Sequence, residues 1–203
     1  MSSSEYANGP TDSARRKILQ QATTAVAGLA LAGASYPFIA SLAPSARARA
    51  QGGPVEVDLA PLQAGELATP EWRGKPVWIL RRTPDMLSRL QSHRSELADP
   101  GSEVASQQPQ YAANPGRSIN PEIFVRVGLC THLGCIPNFR PEPGSVQTDW
   151  PGGFYCPCHG SKFDLAGRVY SGSPAPTNLV VPRHSFIAAD RLVIGRDSQG
   201  EAG

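Results

Sequence analysis

The chain is 203 residues long, 40% hydrophobic and 18% charged, with 20 Gly and 20 Pro. That length holds one well-packed domain and an accessory segment but not two full-sized enzyme domains, and the Gly and Pro content speaks against a helical bundle or a disordered acidic chain. The formal charge of +2 gathers at the N-terminal end, where Arg15, Arg16, Lys17, Arg47 and Arg49 meet only Glu5 and Asp12; the rest is close to neutral and offers no basic footprint to nucleic acid.

From Ile18 to Ala46 no side chain is charged. The more apolar part, Ala22 to Leu42, spans about 31 Å as a helix at ~1.5 Å per residue, enough to cross a bilayer. Residues 18–44 are therefore predicted to form a single transmembrane helix, with Pro37 kinking its last third. Arg15, Arg16 and Lys17 precede it, so residues 1–17 read as a cytoplasmic N-terminus with a twin-arginine-like export signal, or as a plain positive-inside anchor. Both place the rest of the chain across the membrane. Ala46, Ala48 and Ala50 fit a small-residue cleavage site, which leaves cleavage and retention open on the residues alone. Residues 45–54 have the Gly-rich polar composition of a flexible hinge, or of a passive spacer.

In 55–203, Val55–Leu59 and Lys75–Leu80 are predicted strands. Thr83-Pro84-Asp85 opens a helix from Pro84 to about His93, since Thr caps, Pro suits the first position and Asp85 complements the dipole. Residues 97–120, polar and punctuated by Gly and Pro, read as loop. Further strands are predicted at Ile123–Val127, Gly153–Tyr155, Leu179–Val181, Ser185–Ala188 and Arg191–Ile194, with a turn near Asp190. No internal repeat is visible.

All four cysteines fall in two loops at strand ends, Cys130-Thr131-His132-Leu133-Gly134-Cys135 and Cys156-Pro157-Cys158-His159-Gly160-Ser161. Such clustering points to a local site rather than a distributed disulfide framework. Each loop offers one Cys and one His as metal ligands, Cys130 with His132 and Cys156 with His159. A zinc site and a 2Fe-2S cluster both draw on such donors. Zinc leaves Cys135 and Cys158 without a role, and two plain disulfides demand awkward pairing around the neighbours Cys156 and Cys158.

Both hexapeptides resemble, without gaps, the two cluster loops of the Rieske family in its quinol-oxidising branch, that of bacterial ubiquinol-cytochrome c reductase. Gly172-Ser173-Pro174-Ala175-Pro176 resembles the family's proline loop, and the resemblance runs from the anchor to the C-terminus. It implies an all-β fold: a Rieske-type antiparallel β sandwich with a small cluster-binding subdomain at about 127–176, behind a single N-terminal transmembrane helix that is retained. It implies one 2Fe-2S cluster, with Cys130 and Cys156 on one iron and His132 and His159 on the other, and a disulfide between Cys135 and Cys158. The implied setting is the cell inner membrane, single-pass with a periplasmic head, in a dimeric cytochrome bc1 complex beside cytochrome b and cytochrome c1. There the head accepts an electron and a proton from ubiquinol and passes the electron to cytochrome c1, as part of a proton-translocating quinol:cytochrome c oxidoreductase. A small Rieske subunit of another exported oxidase, such as arsenite oxidase, is the alternative.

Under this resemblance His159 contacts quinol, with His132 the second candidate. Leu133 shields the cluster from solvent, and Ser161 hydrogen-bonds a bridging sulfide. Imidazoles in place of thiolates remove negative charge and raise the potential to roughly −150 to +300 mV, and a ligated histidine can take up a proton when the iron takes an electron. Phe163 departs from the pattern. Many family members have Tyr there, whose hydroxyl donates to a cysteine sulfur, so a lower midpoint potential than in Tyr-bearing relatives is expected.

Overall fold

The computed structural model describes residues 10–45 and 52–200, which belong to two compact units, an N-terminal helix and a head. Helix α1 runs from Pro10 to Ser41, so the basic residues Arg15, Arg16 and Lys17 lie within it and it stops short of residue 44. Pro44 accounts for the stop, because it disfavours helical backbone at Ala43. Among the described residues, Ser13–Ser41 is the one stretch long and apolar enough to cross a membrane. Three of its hydroxyls are satisfied within the helix: Thr23, Thr24 and Ser35 each donate to the carbonyl four residues back, as suits a spanning segment. Of the predicted hinge, residues 46–51, with Ala46, Ala48 and Ala50, lie outside the described residues. Its far end is fastened to the head, where Arg73 Nε donates to Gly52 O and Trp72 Nε1 to Gly53 O, each at 3.2 Å.

The head contains β1 (Val55–Asp58), β2 (Leu67–Ala68), β3 (Glu71–Trp72), β4 (Lys75–Arg81), helix α2 (Pro84–Ser92), β5 (Ile123–Val127), β6 (Asn138–Arg140), β7 (Gly153–Tyr155), β8 (Lys162–Phe163), β9 (His184–Ala188) and β10 (Arg191–Ile194). Every pairing is antiparallel. One sheet has the order β1-β10-β9, a second is built on β4 with β2, β3 and β5, and a third has the order β6-β7-β8. Helix α2 starts as expected, with the Thr83 side chain accepting from the Met86 N–H.

The second sheet is buried on both faces, and alternation along its strands explains how. Val77, Ile79, Ile123 and Val125 point into a core shared with Leu192 and Ile194 of the first sheet. Trp78, Leu80 and Phe124 point the other way, into a core shared with Phe154 and Phe163 of the third. Phe154 stacks on Trp78 at 4.7 Å and on Phe124 at 5.1 Å, an arrangement that adds to area burial. Beyond β5 the chain crosses the Trp78 indole at Gly128, where a Cβ would lie 2.5 Å from the ring. Glycine there brings the first cysteine loop against the aromatic core.

One predicted strand is absent. Leu179–Val181 makes no ladder because its backbone serves three different neighbours: Leu179 N–H donates to Gly167 O, Val180 O accepts from Val127 N–H, and Val181 N–H donates to Gln107 O, each at 2.8 Å. Residues 97–120 are irregular, as predicted, and include short 3-10 turns at Ala105–Gln107 and Gln110–Ala112.

His184 is buried in the head, its Nδ1 2.8 Å from Pro182 O and its ring edge-on to Tyr111. Burial pushes its pKa down to about 4, against the Pro182 bond and with Arg126 adding to the fall. The unfolded ring titrates near 6.5, so between about pH 6.5 and 4 the unfolded state binds a proton that the folded state refuses. The stability present above pH 6.5 should therefore drop by on the order of 3 kcal/mol as the pH falls to 4. Urea unfolding of wild type and His184→Gln across that range checks this; equal pH slopes in the two proteins contradict it.

Candidate metal centre

Sheet register brings the two cysteine loops together. The first loop leads into the start of β6, the second joins the end of β7 to the start of β8, and Asn138 pairs with Tyr155 while Tyr155 pairs with Lys162. Both loops therefore emerge at one end of the third sheet. Their backbones repeat each other. Cys130 N–H donates to Cys135 O at 2.8 Å and Gly134 N–H to Cys130 O at 2.9 Å; Cys156 N–H donates to Ser161 O at 2.8 Å and Gly160 N–H to Cys156 O at 2.9 Å. Each closure needs a left-handed fifth residue, met by Gly134 at φ 80 and Gly160 at φ 78, where side chains other than glycine are strained. This local repeat escaped the sequence reading, although a Gly four residues after each leading Cys was its signal.

Cys135 and Cys158 form a disulfide between the loops. Cys130 and Cys156 are free and buried. The sulfurs of Cys135, Cys156 and Cys158 lie within 4.8 Å of one another, but the bridge occupies two of them, so Cys156 is the thiol of that trio able to bind a metal. Burial pushes the Cys156 thiol up; backbone hydrogen bonds from Cys158 and His159 act against the rise and the neighbouring Cys130 side chain adds to it. The His132 and His159 rings face each other at 4.7 Å, nearly perpendicular. His132 Nδ1 is buried without a hydrogen-bond partner in the protein, a costly state for an imidazole unless something else engages it. Two buried thiols that meet each other and two imidazoles that meet each other, one with an orphaned nitrogen, fit the donor set of a Rieske centre.

Around these donors, His159 is exposed and His132 half-buried. Leu133 stands 71% exposed at the tip, with Ile136 at 56%. Ser161 is fully buried, and its hydroxyl accepts from Ala175 N–H at 3.0 Å, which fastens the Gly172–Pro176 segment to the second loop. Two residues the sequence reading did not single out complete the fastening: Thr131 Oγ1 donates to Thr177 O at 2.7 Å and Ser173 Oγ accepts from Lys162 N–H at 3.2 Å. Residues 172–177 are thus tied to both loops.

The Rieske 2Fe-2S domain matches residues 92–185. The ubiquinol-cytochrome c reductase iron-sulfur subunit of Allochromatium vinosum is 53% identical over 90% of this chain and 89% of its own length. The protein of the same name from Blastochloris viridis is 40% identical over 91% and 94%. A chain of a hyperthermophilic respiratory complex III aligns with 87% of this chain and 98% of its own, at 26% identity and a TM-score of 0.44.

The bridge is the covalent link between the loops, across a sequence separation of 23, and such closures contribute about 3 kcal/mol on chain-entropy arithmetic. The double variant Cys135→Ser, Cys158→Ser keeps the two free thiols and both imidazoles. On heating the full chain in detergent it should lose bound iron, followed by visible absorbance, at a lower temperature than wild type. Coincident loss curves contradict a clamping role.

Proposed function

The chain belongs to the Rieske iron-sulfur subunits of ubiquinol-cytochrome c reductase, and from that membership we propose that its head takes an electron together with a proton from ubiquinol at a site on cytochrome b and hands the electron to cytochrome c1. Its cofactor is a 2Fe-2S cluster, which supplies one-electron chemistry when bound. In our reading Cys130 and Cys156 hold one iron while His132 and His159 hold the other. The observation that carries the proposal is the convergence of these four side chains at one end of the third sheet with His159 open to solvent.

The placement of the residues supports the roles that the family resemblance implies. His159, exposed at the rim, would accept a hydrogen bond from a quinol hydroxyl and take up its proton; His132, half-buried, is the second candidate. Leu133 and Ile136 present apolar surface beside it, which excludes water when the head docks against a partner. Ser161, whose hydroxyl accepts from Ala175 N–H, keeps its own hydroxyl proton for donation and would offer it to a sulfur of the bound cluster. Helix α1 anchors the subunit in the inner membrane, with the head on the periplasmic side and residues 46–51 as the connection, in a dimeric complex. Copurification of b- and c-type cytochromes with the full chain tests the partners; isolation with neither overturns this assignment.

Phe163 is fully buried in the same core as Cys130 and Cys156, and its ring offers no hydrogen bond to sulfur. A donor to a cluster thiolate stabilises the reduced state. Phe163→Tyr should therefore raise the midpoint potential in voltammetry of the cluster-bearing protein. An unchanged or lowered potential contradicts the missing-donor explanation.

A further inference from the structure

The head buries four guanidinium groups around a single stretch of backbone. Arg82, Arg117, Arg126 and Arg168 are between 0% and 2% exposed, and Asp164 is 4% exposed. Arg126 reaches Ala166 O with Nε at 3.1 Å and Nη2 at 3.0 Å, with its guanidinium 4.6 Å from the centre of the Phe124 ring. Arg82 donates to Leu165 O at 3.1 Å and Arg117 to Gly167 O at 3.2 Å. Arg168 pairs with Asp164 at 2.7 Å, whose other oxygen accepts from the Ala166 and Arg168 N–H groups. Asp164 is the buried carboxylate of this group; Asp99, half-buried, adds a weaker attraction to Arg117. Four guanidinium groups thus share one buried carboxylate.

Carbonyl groups need only neutral donors, and burying charge is costly, so fastening residues 164–168 does not by itself account for this set. Its position supplies a second use. Asp164 follows Ser161 by three residues. Arg126 precedes Cys130 by four, a separation of at most about 14 Å of extended chain. Leu165, Ala166 and Phe124 belong to the same buried cluster as Cys130 and Cys156, so the intervening medium is protein rather than screening water.

We propose that Arg82, Arg117, Arg126 and Arg168, offset by Asp164, are positioning residues that raise the reduction potential of the cluster by placing uncompensated positive charge behind it. The proposal rests on the ligand set proposed above. A positive field favours the state that carries the extra electron, and here it acts where Phe163 supplies no hydrogen bond. Burial lowers the pKa of Arg82 and Arg117 only to about 10, so both stay charged at neutral pH, whereas burial, with Arg117 and Arg82 beside it, pushes that of Arg126 down further.

The test is voltammetry of the full chain in detergent, with the electron-spin signal of the reduced protein recorded alongside. Arg126→Met should lower the midpoint potential, by about tenfold in the reduction equilibrium for a unit charge at this range, or about 59 mV, and Arg117→Gln should shift it in the same direction. Asp164→Asn should raise it. Loosening of 164–168 alone would move all the variants in one direction, so shifts of the same sign, or no shift, overturn the proposal. If Arg126→Met does not fold, the signs of Arg117→Gln and Asp164→Asn decide. Wild-type protein without the Rieske spin signal would instead count against the ligand set.

Discussion

Everything in the head depends on holding two loops, 26 residues apart from Cys130 to Cys156, in one register. In the proposed ligand set each loop gives one Cys and one His, and such a centre tolerates little relative displacement of the loops, because distances to iron are fixed by bonding. Three devices provide the constraint at different levels. The loops share a backbone closure built on Gly134 and Gly160, the Cys135–Cys158 bridge links them covalently, and the Gly172–Thr177 stretch is hydrogen-bonded to both, through Ala175 and Thr177. Rigidity of the donors is what lets the surrounding protein tune them rather than rebuild them.

The layers beneath have the same logic. The second sheet is the middle layer, with Val77, Ile79, Ile123 and Val125 serving one core and Trp78, Leu80 and Phe124 the other. The stacked rings of Trp78, Phe124 and Phe154 connect this middle layer to the sheet that carries the loops. Below the second loop the buried arginines gather the carbonyls of 165–167. Packing and electrostatics thus act on the same short stretch of chain, whereas the tip with His159 and Leu133 is left open.

Much of this was legible in the sequence, for physical reasons that differ by element. The loops are contiguous and dense in donors, so the six-residue segments carried nearly all of the chemistry; the chain's membership of the family accords with that reading. Strands β5, β7 and β10 fall at their predicted bounds because each is a short apolar run between turn signals. Strands β2, β3 and β8 have two residues each, too few to show a period. Leu179–Val181 has strand composition, but its partners come from three places. The arginine set was invisible for another reason: Arg82, Arg117, Arg126 and Arg168 are scattered through the sequence, and a charged side chain is ordinarily read as surface.

In the proposed centre one iron carries two thiolates and the other two imidazoles, from Cys130, Cys156, His132 and His159. Pulsed electron-spin spectroscopy of the reduced full chain, with histidine labelled by nitrogen-15, distinguishes this ligand set from any other. The expected spectrum is a 2Fe-2S signal coupled to two histidine nitrogens, one of which is lost in His159→Cys. A signal without histidine coupling, or a colourless protein that binds zinc in place of iron, would contradict it.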